Sequence, residues 1–462
     1  MSLSLIRDYR NNKKFYRNLF AITLPIVLQN LIASSLNMLD TVMIGKVGET
    51  ELAAVGIANQ YYFLFTLFIL GVSGGCGVLI AQLWGKKDKD NIKKVLSKAL
   101  IISLLVSLAF LFVGFIMPEK IMRLFNKDVL VVSIGSEYLR ITVISYIFTC
   151  ITFTFASALR SIGNTKLPMF ASLVGLITNG VLNYILIFGK LGIPALKTPG
   201  AAIATLIARI FECLIIIFVV YFKDKILNIK LNNFRGLSKN LTKTFTKVTT
   251  PIVLNEICWG LGNVTYIGIY ARIGTRAAAS IQICSTIMNL FMVFTFGLAY
   301  AAVVIIGNEI GANREESAIE ASKRISSISI LIAFVLGIIL FMLAKPITSF
   351  FNVSDEVKAA STYILYVYSL LMIVKVYNAV MIVGILRGGG DAAYGSILQG
   401  ITLWFIGIPL AFTAAFILHL PVYYVVAFTA VEEIIKVFLI IKRFKSFKWL
   451  KNIVNDSLKT AI

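Results

Sequence analysis

Charge is scarce in this sequence. Only 14% of its 462 residues are charged, while 58% fall in the apolar class. A soluble chain of this length has a surface to wet and is about a quarter charged, so a soluble fold is excluded. Acid is scarcer than base: 22 Asp and Glu face 44 Lys and Arg, a net charge of +22. The one histidine, His419, stands beside Pro421 in a short connection with no metal-ligand spacing around it, which argues against a metalloenzyme inside the membrane. The five cysteines (Cys76, Cys150, Cys213, Cys258, Cys284) all lie in apolar runs at no metal spacing, and are read as free thiols packed as small hydrophobes. A phosphate-binding G-x-x-x-x-G-K-[ST] loop is also missing. Gly85-Lys86 is followed by Lys87, and Ile80 holds the place of the first glycine, so direct ATP hydrolysis is not expected. No A-x-A-like cleavage site follows the first apolar run, and the first 18 residues are read as a cytoplasmic lead-in to an uncleaved span.

What the chain does have is apolar length. Runs such as Ala99 to Met117 and Leu167 to Phe188 are long enough to cross a bilayer as helices, which needs about 20 residues. Twelve spans are expected, at 20–44, 51–83, 94–117, 129–158, 167–189, 199–222, 247–271, 276–311, 318–343, 356–386, 393–418 and 421–441. The connections alternate in charge. About 30 basic residues fall in one set, including Lys86 to Lys98, Lys223 to Lys247 and the tail from Lys442, and about 10 fall in the other. Basic residues resist translocation, so the richer set and both termini are placed in the cytoplasm. Placed this way the charge calls for no nucleic-acid partner.

A shift of 226 residues lays the second half of the chain on the first. Pro25-Ile26-Val27-Leu28 falls on Pro251-Ile252-Val253-Leu254, Gly71 on Gly297, and Phe125-Asn126 on Phe351-Asn352. One residue of slip then brings Leu159-Arg160 onto Leu386-Arg387. Six spans per half is an even number, so both halves enter the membrane in the same direction. The expected fold is an all-α polytopic membrane protein with twelve transmembrane helices, in two six-helix bundles related by a pseudo-twofold axis along the membrane normal. The lobes are assigned to residues 1–222 and 247–462, with 223–246 as a cytoplasmic linker.

Several strings resemble the multidrug and toxic compound extrusion family over nearly the whole chain. They are Leu24-Pro25-Ile26-Val27-Leu28-Gln29-Asn30, Leu39-Asp40-Thr41-Val42-Met43-Ile44-Gly45, Ala81-Gln82-Leu83-Trp84-Gly85, Leu159-Arg160-Ser161-Ile162-Gly163-Asn164-Thr165, Asn179 to Gly189, and Pro199-Gly200-Ala201-Ala202-Ile203-Ala204-Thr205. The resemblance implies a transporter, not an enzyme. It implies export of amphipathic organic cations in exchange for Na+ or H+, by alternating access of two lobes in one polypeptide acting as a monomer, with no cofactor besides the coupling ion.

Ionisable groups inside a bilayer are costly, and each is a functional candidate. Asp40 lies in the first span with no basic residue placed to satisfy it locally, and can hold a proton or a sodium ion. Asn179 and Asn183 stand four apart on one helical face, and Thr205 can add a hydroxyl; the amides can equally serve to join helices. In the family these positions form an ion site with the aspartate of the first helix, and a Na+ site at Asp40, Asn179, Asn183 and Thr205 is the expectation. Some members carry an acid at the place of Asn183, so the choice between Na+ and H+ stays open. Glu256, on the seventh span, matches Asn30 at the repeat offset, and Lys375 offers it a structural partner; Asp40 matches Tyr266. Family members that use a glutamate on this helix have it three residues further from the proline. Arg209 with Glu212, and Glu432 with Lys436, have helical spacing for local neutralisation, which leaves Glu433 unexplained. Arg160 and Arg387 are read as topological anchors. Pro25 cannot donate to the carbonyl of Ala21, so the first helix is predisposed to kink, and occupancy of Asp40 is expected to bias it between straight and bent forms.

The competing function is a flippase for a lipid-linked oligosaccharide. It would need several bases lining its cavity, whereas the embedded ones are Arg140, Arg209, Lys375 and Lys436, two of them with local acids. A channel would need a ring of filter residues, and none is visible.

Overall fold

The computed structural model describes residues 12–223, 226–230, 232–233 and 239–455. Arg7, Arg10, Arg235 and Lys459, counted above among the cytoplasmic bases, lie outside the described residues, as does part of the 223–246 linker. Among the described residues every regular element is helical.

The first six segments are α1 (Lys13–Gly45), α2 (Glu49–Gly85), α3 (Lys89–Ile116), α4 (Val129–Thr142 with Ser145–Ser161), α5 (Lys166–Phe188) and α6 (Lys197–Phe222). The next six are α7 (Lys239–Ile273), α8 (Thr275–Gly311), α9 (Glu315–Ser349), α10 (Asp355–Leu386), α11 (Ala392–Ile417) and α12 (Val422–Phe428 with Ala430–Lys445). Ten of them are long and apolar enough to cross a membrane, and α4 makes eleven if its two pieces count as one span. The 50° bend in α4 falls where hydroxyls turn back on the backbone: Thr142 Oγ1 donates to the Tyr138 carbonyl and Ser145 Oγ to that of Thr142. Such bonds compete with the helical ladder and bend it. The twelfth expected span, 421–441, is interrupted at Thr429, and Glu432, Glu433 and Lys436 reduce its apolar length. The chain is thus a multi-pass membrane protein. Its large apolar side chains, among them Phe112 and Phe115 on α3, Phe218 on α6 and Phe341 on α9, stand exposed toward the space that lipid would fill.

The chain divides into two compact units, with the division between Val253 and Leu254 inside α7. In the first unit α2 is central and largely buried, and the aromatic core lies around it. Phe65 stacks on Tyr146 with ring centroids 4.5 Å apart, and Tyr61 donates to the Phe110 carbonyl at 2.9 Å. Gly75 is required where α2 meets the start of α7, because a Cβ there would lie 2.8 Å from the Thr249 Cα.

The repeat read from sequence reappears in the backbone. Lys87 and Asn313, 226 apart, both take a left-handed conformation (φ 62° and 59°) after α2 and α8. Gly163 and Gly390, 227 apart, do so after α4 and α10 (φ 89° and 88°). Side chains follow the same offsets. Ser157 and Ser161 donate to the carbonyls of Ser73 and Gly77. At the equivalent places Gly384 and Gly388 bring α10 directly against the carbonyls of Ala299 and Val303.

In the second unit the tail folds back on the end of α10. Trp449 is fully buried against Gly389, and Lys451 N–H donates to the Gly389 carbonyl at 2.8 Å. Asp391, buried, receives Arg443 at 2.7 Å and Lys451 at 2.5 Å. Nothing in the spacing of these residues announced that arrangement.

Candidate ion site in the first unit

Asp40 sits one and a half turns before the end of α1, partly covered by α5. Asn183 Nδ2 donates to Asp40 Oδ1 at 2.5 Å and to Asn179 Oδ1 at 3.0 Å. Asn179 Nδ2 in turn donates to Thr205 Oγ1 on α6 at 3.3 Å. The four residues expected from sequence are therefore brought together, in one hydrogen-bonded chain across three helices. Asn179 and Asn183 are fully buried because the i, i+4 spacing puts both on the inner face of α5.

The oxygens are not all used. Asn183 Oδ1 is buried and accepts no hydrogen bond among the described residues. A buried amide oxygen without a donor is costly, and a cation or a protonated group in the site would remove the cost. Carboxylate, amide and hydroxyl oxygens are the donor set that hard cations prefer. Among the described residues Asp40 makes no ion pair within 4.0 Å. Arg209 is near enough for its charge to act on Asp40, but its guanidinium is held by Glu212 at 2.8 Å.

Two neighbours were not singled out in the sequence. Tyr138, buried in the aromatic core, lies near Asp40 and Thr205. A polar chain also links the far end of α4 to α6: Arg160 donates to Gln29 Oε1 at 3.2 Å, Gln29 Nε2 to Ser172 Oγ at 3.3 Å, and Ser172 Oγ to Glu212 Oε1 at 2.7 Å. Gln29 and Ser172 gave no signal because each is an ordinary polar residue until its helix is placed.

Pro25 lies inside an unbroken α1, and the carbonyl it cannot serve, that of Ala21, has Thr165 Oγ1 at 3.5 Å. Glu256 is not brought to the Asp40 group; it belongs to the second unit. Its partner is Arg387 at 2.8 Å and not Lys375, whose ammonium lies 5.3 Å from the centre of the Tyr368 ring. Arg387 is 5% exposed, so it is a buried partner and not the loop anchor expected. The separation of 131 residues between Glu256 and Arg387 equals that between Gln29 and Arg160. By contact, then, the counterpart of Glu256 is Gln29, one position from the Asn30 given by a fixed offset.

The family model described as MatE matches residues 25–185 and again 251–413, two matches whose starts are separated by the offset of the repeat. The chain belongs to the MatE family. Among MatE relatives, the probable multidrug resistance protein NorM of Halalkalibacterium halodurans is 26% identical over 403 residues, covering 85% of this chain and 86% of that protein. The probable multidrug resistance protein NorM of Bacillus subtilis is 27% identical over 419 residues, covering 88% and 90%. In structure, this MatE chain is similar to a MOP superfamily transporter from Pyrococcus furiosus, for which a reverse polarity of the binding pocket suggests a different function. The TM-score is 0.85 at 20% identity, covering 93% of this chain and 96% of that one, which is a likeness of fold.

Proposed function

We propose that this MatE protein is a secondary active transporter that exports amphipathic organic cations, with Na+ or H+ moving the other way through Asp40. It works as a transporter and not as an enzyme, in the cytoplasmic membrane, with both termini on the cytoplasmic side. Relatives named as probable multidrug resistance proteins support the direction and the substrate class. The strong bias of Lys and Arg to one set of connections supports the orientation.

The observation that carries the coupling role is the pairing of an embedded carboxylate with a buried amide oxygen, Asn183 Oδ1: among the described residues the first lacks an ion pair and the second a donor. Such a group accepts a cation when water and ions reach it and releases it when they are withdrawn, provided its surroundings differ between two conformations of the lobe. Asn179 and Thr205 align Asn183, and Asn183 in turn aligns the carboxylate. Pro25, fifteen residues before Asp40 on the same helix, is the place where α1 can change shape at low cost. Each ion bound drives the change only through its different affinity for the two forms.

The test is accumulation of a fluorescent cation by cells expressing the parent or Asp40→Asn, with Na+ and pH varied separately. The parent should exclude the dye and the variant should not. Equal exclusion at every Na+ concentration and pH would contradict the assignment.

A further inference from the structure

The second unit holds a buried group that the proposed transport cycle does not use. Glu432 and Lys436 on α12 are 3% and 5% exposed. Lys436 Nζ lies 2.7 Å from Glu432 Oε1 and 3.1 Å from Glu433 Oε1. The outer oxygens are held as well: Tyr266 donates to Glu432 Oε2 at 2.9 Å, and Asn378 Nδ2 to Glu433 Oε2 at 2.7 Å. Gly407 on α11 packs onto Glu432 and the Tyr266 hydroxyl, where a side chain of any size would collide. Lys375 is also felt at Glu433, but makes no ion pair within 4.0 Å among the described residues. An amide oxygen is left over here too. Asn378 is 3% exposed, its amide nitrogen donates to Glu433, and its Oδ1 accepts no hydrogen bond among the described residues.

The repeat says what this group corresponds to. At the offset of 226 Tyr266, which donates to Glu432, is the counterpart of Asp40, and α12 takes the place of α6. The second unit therefore has a hydroxyl in place of the acid on its first helix, and carries its acids on the sixth, with Asn378 of the fourth helix beside them. The difference is in the cation. In the first unit Arg209 is drawn aside by Glu212, three residues further on, and among the described residues no ammonium or guanidinium pairs with Asp40 within 4.0 Å. In the second unit both acids precede the base, at i−4 and i−3, so the ammonium is drawn between them.

We propose that Glu432 and Glu433, their outer oxygens held by Tyr266 and Asn378, form a second monovalent-cation site, one for a primary ammonium, and that Lys436 is its built-in occupant. The tether makes the effective concentration of this ammonium high, and a free ion at ordinary concentration does not displace it. The second unit is then permanently loaded, and one exchangeable site, at Asp40, remains. The inference goes beyond the transport reading and does not depend on it, since it concerns what the C-terminal unit binds once its own cation is removed.

Shortening the tether opens the site to a free ammonium. The experiment is thermal unfolding of purified Lys436→Ala and of the parent, in detergent, with methylammonium chloride or with N-methylglucamine chloride at equal ionic strength. Methylammonium at saturating concentration should raise the midpoint of Lys436→Ala by about 5 °C over N-methylglucamine and leave the parent unmoved. Adding Glu432→Gln and Glu433→Gln to Lys436→Ala should abolish the response. If Lys436→Ala does not accumulate, Glu433→Gln/Lys436→Ala is measured instead. It keeps the group's net charge, with Glu432, Tyr266 and Asn378 in place, and should respond in the same way. A folded variant whose midpoint is the same in both salts, or a parent that responds as strongly as the variant, would overturn the proposal. Both outcomes leave the Asp40 assignment untouched, because α1, α5 and α6 are unaltered.

Discussion

Arg387 donates to Glu256 across 2.8 Å at the point where, in the other half of the repeat, Arg160 donates to the uncharged Gln29. One arrangement thus serves with an ion pair in one unit and a neutral hydrogen bond in the other. Burying an unpaired charge costs far more than replacing a charged acceptor by a neutral one that can still accept. Glu256→Gln should therefore cost about 1–2 kcal/mol, and Arg387→Met, which strands the carboxylate, about 3–5 kcal/mol. Thermal unfolding of the two purified variants gives the order; equal losses would mean that the charge on Glu256 does not contribute.

Asn183 is the residue through which Asp40 is held, since its one amide group serves both Asp40 and Asn179. A hydrogen bond to a charged group is worth about 1.5–3 kcal/mol, or roughly 10–100-fold in affinity. Asn183→Leu should raise by that factor the ion concentration needed for half-maximal efflux, with little change in the amount of folded protein. A variant with the parent's ion dependence would remove Asn183 from the site.

The hinge prediction concerns Pro25. Alanine restores the N–H that can reach the Ala21 carbonyl and favours a straight α1, by about 3 kcal/mol if the full cost of an interior proline is relieved. Pro25→Ala should then lower efflux strongly while the unfolding midpoint stays level or rises. Transport at the parent's rate would mean that α1 does not change shape in the cycle.

The tail should be part of the second unit and not an appendage. Trp449→Ala removes a fully buried ring from its seat on Gly389 and should cost about 3–5 kcal/mol. Limited proteolysis reads the result directly: the parent should resist cleavage around Arg443 and Lys451, and the variant should be cut there first.

Much of this was legible before any coordinates. Apolar length gave the spans, and the Pro and Gly positions gave the repeat, because both are properties of single helices and turns. Asp40, Asn179 and Asn183 could be picked out as candidates for a related reason, since an embedded acid and an i, i+4 pair of amides stand out in hydrocarbon; their grouping with Thr205 as an ion site rested on the family resemblance. What could not be read was partnership across the chain. Arg387 follows its span closely and looks like an interfacial anchor until α7 is placed beside it, 131 residues away in sequence. Asp391 looks like a loop acid until the tail returns with Arg443 and Lys451. Glu433 was left over because Lys436 had been assigned to Glu432; it shares that ammonium, and its second partner, Asn378, lies on another helix.

The most direct measurement is ion flux during export. Proteoliposomes holding the parent, with a fluorescent cation on one side, are given a Na+ or a pH gradient while dye and ion are followed together. Movement of dye should be accompanied by opposite movement of one of the two ions, and Asp40→Asn should lose both in the same step. Dye transport by Asp40→Asn at the parent's rate, or by the parent with no ion moving the other way, would contradict coupling through this carboxylate.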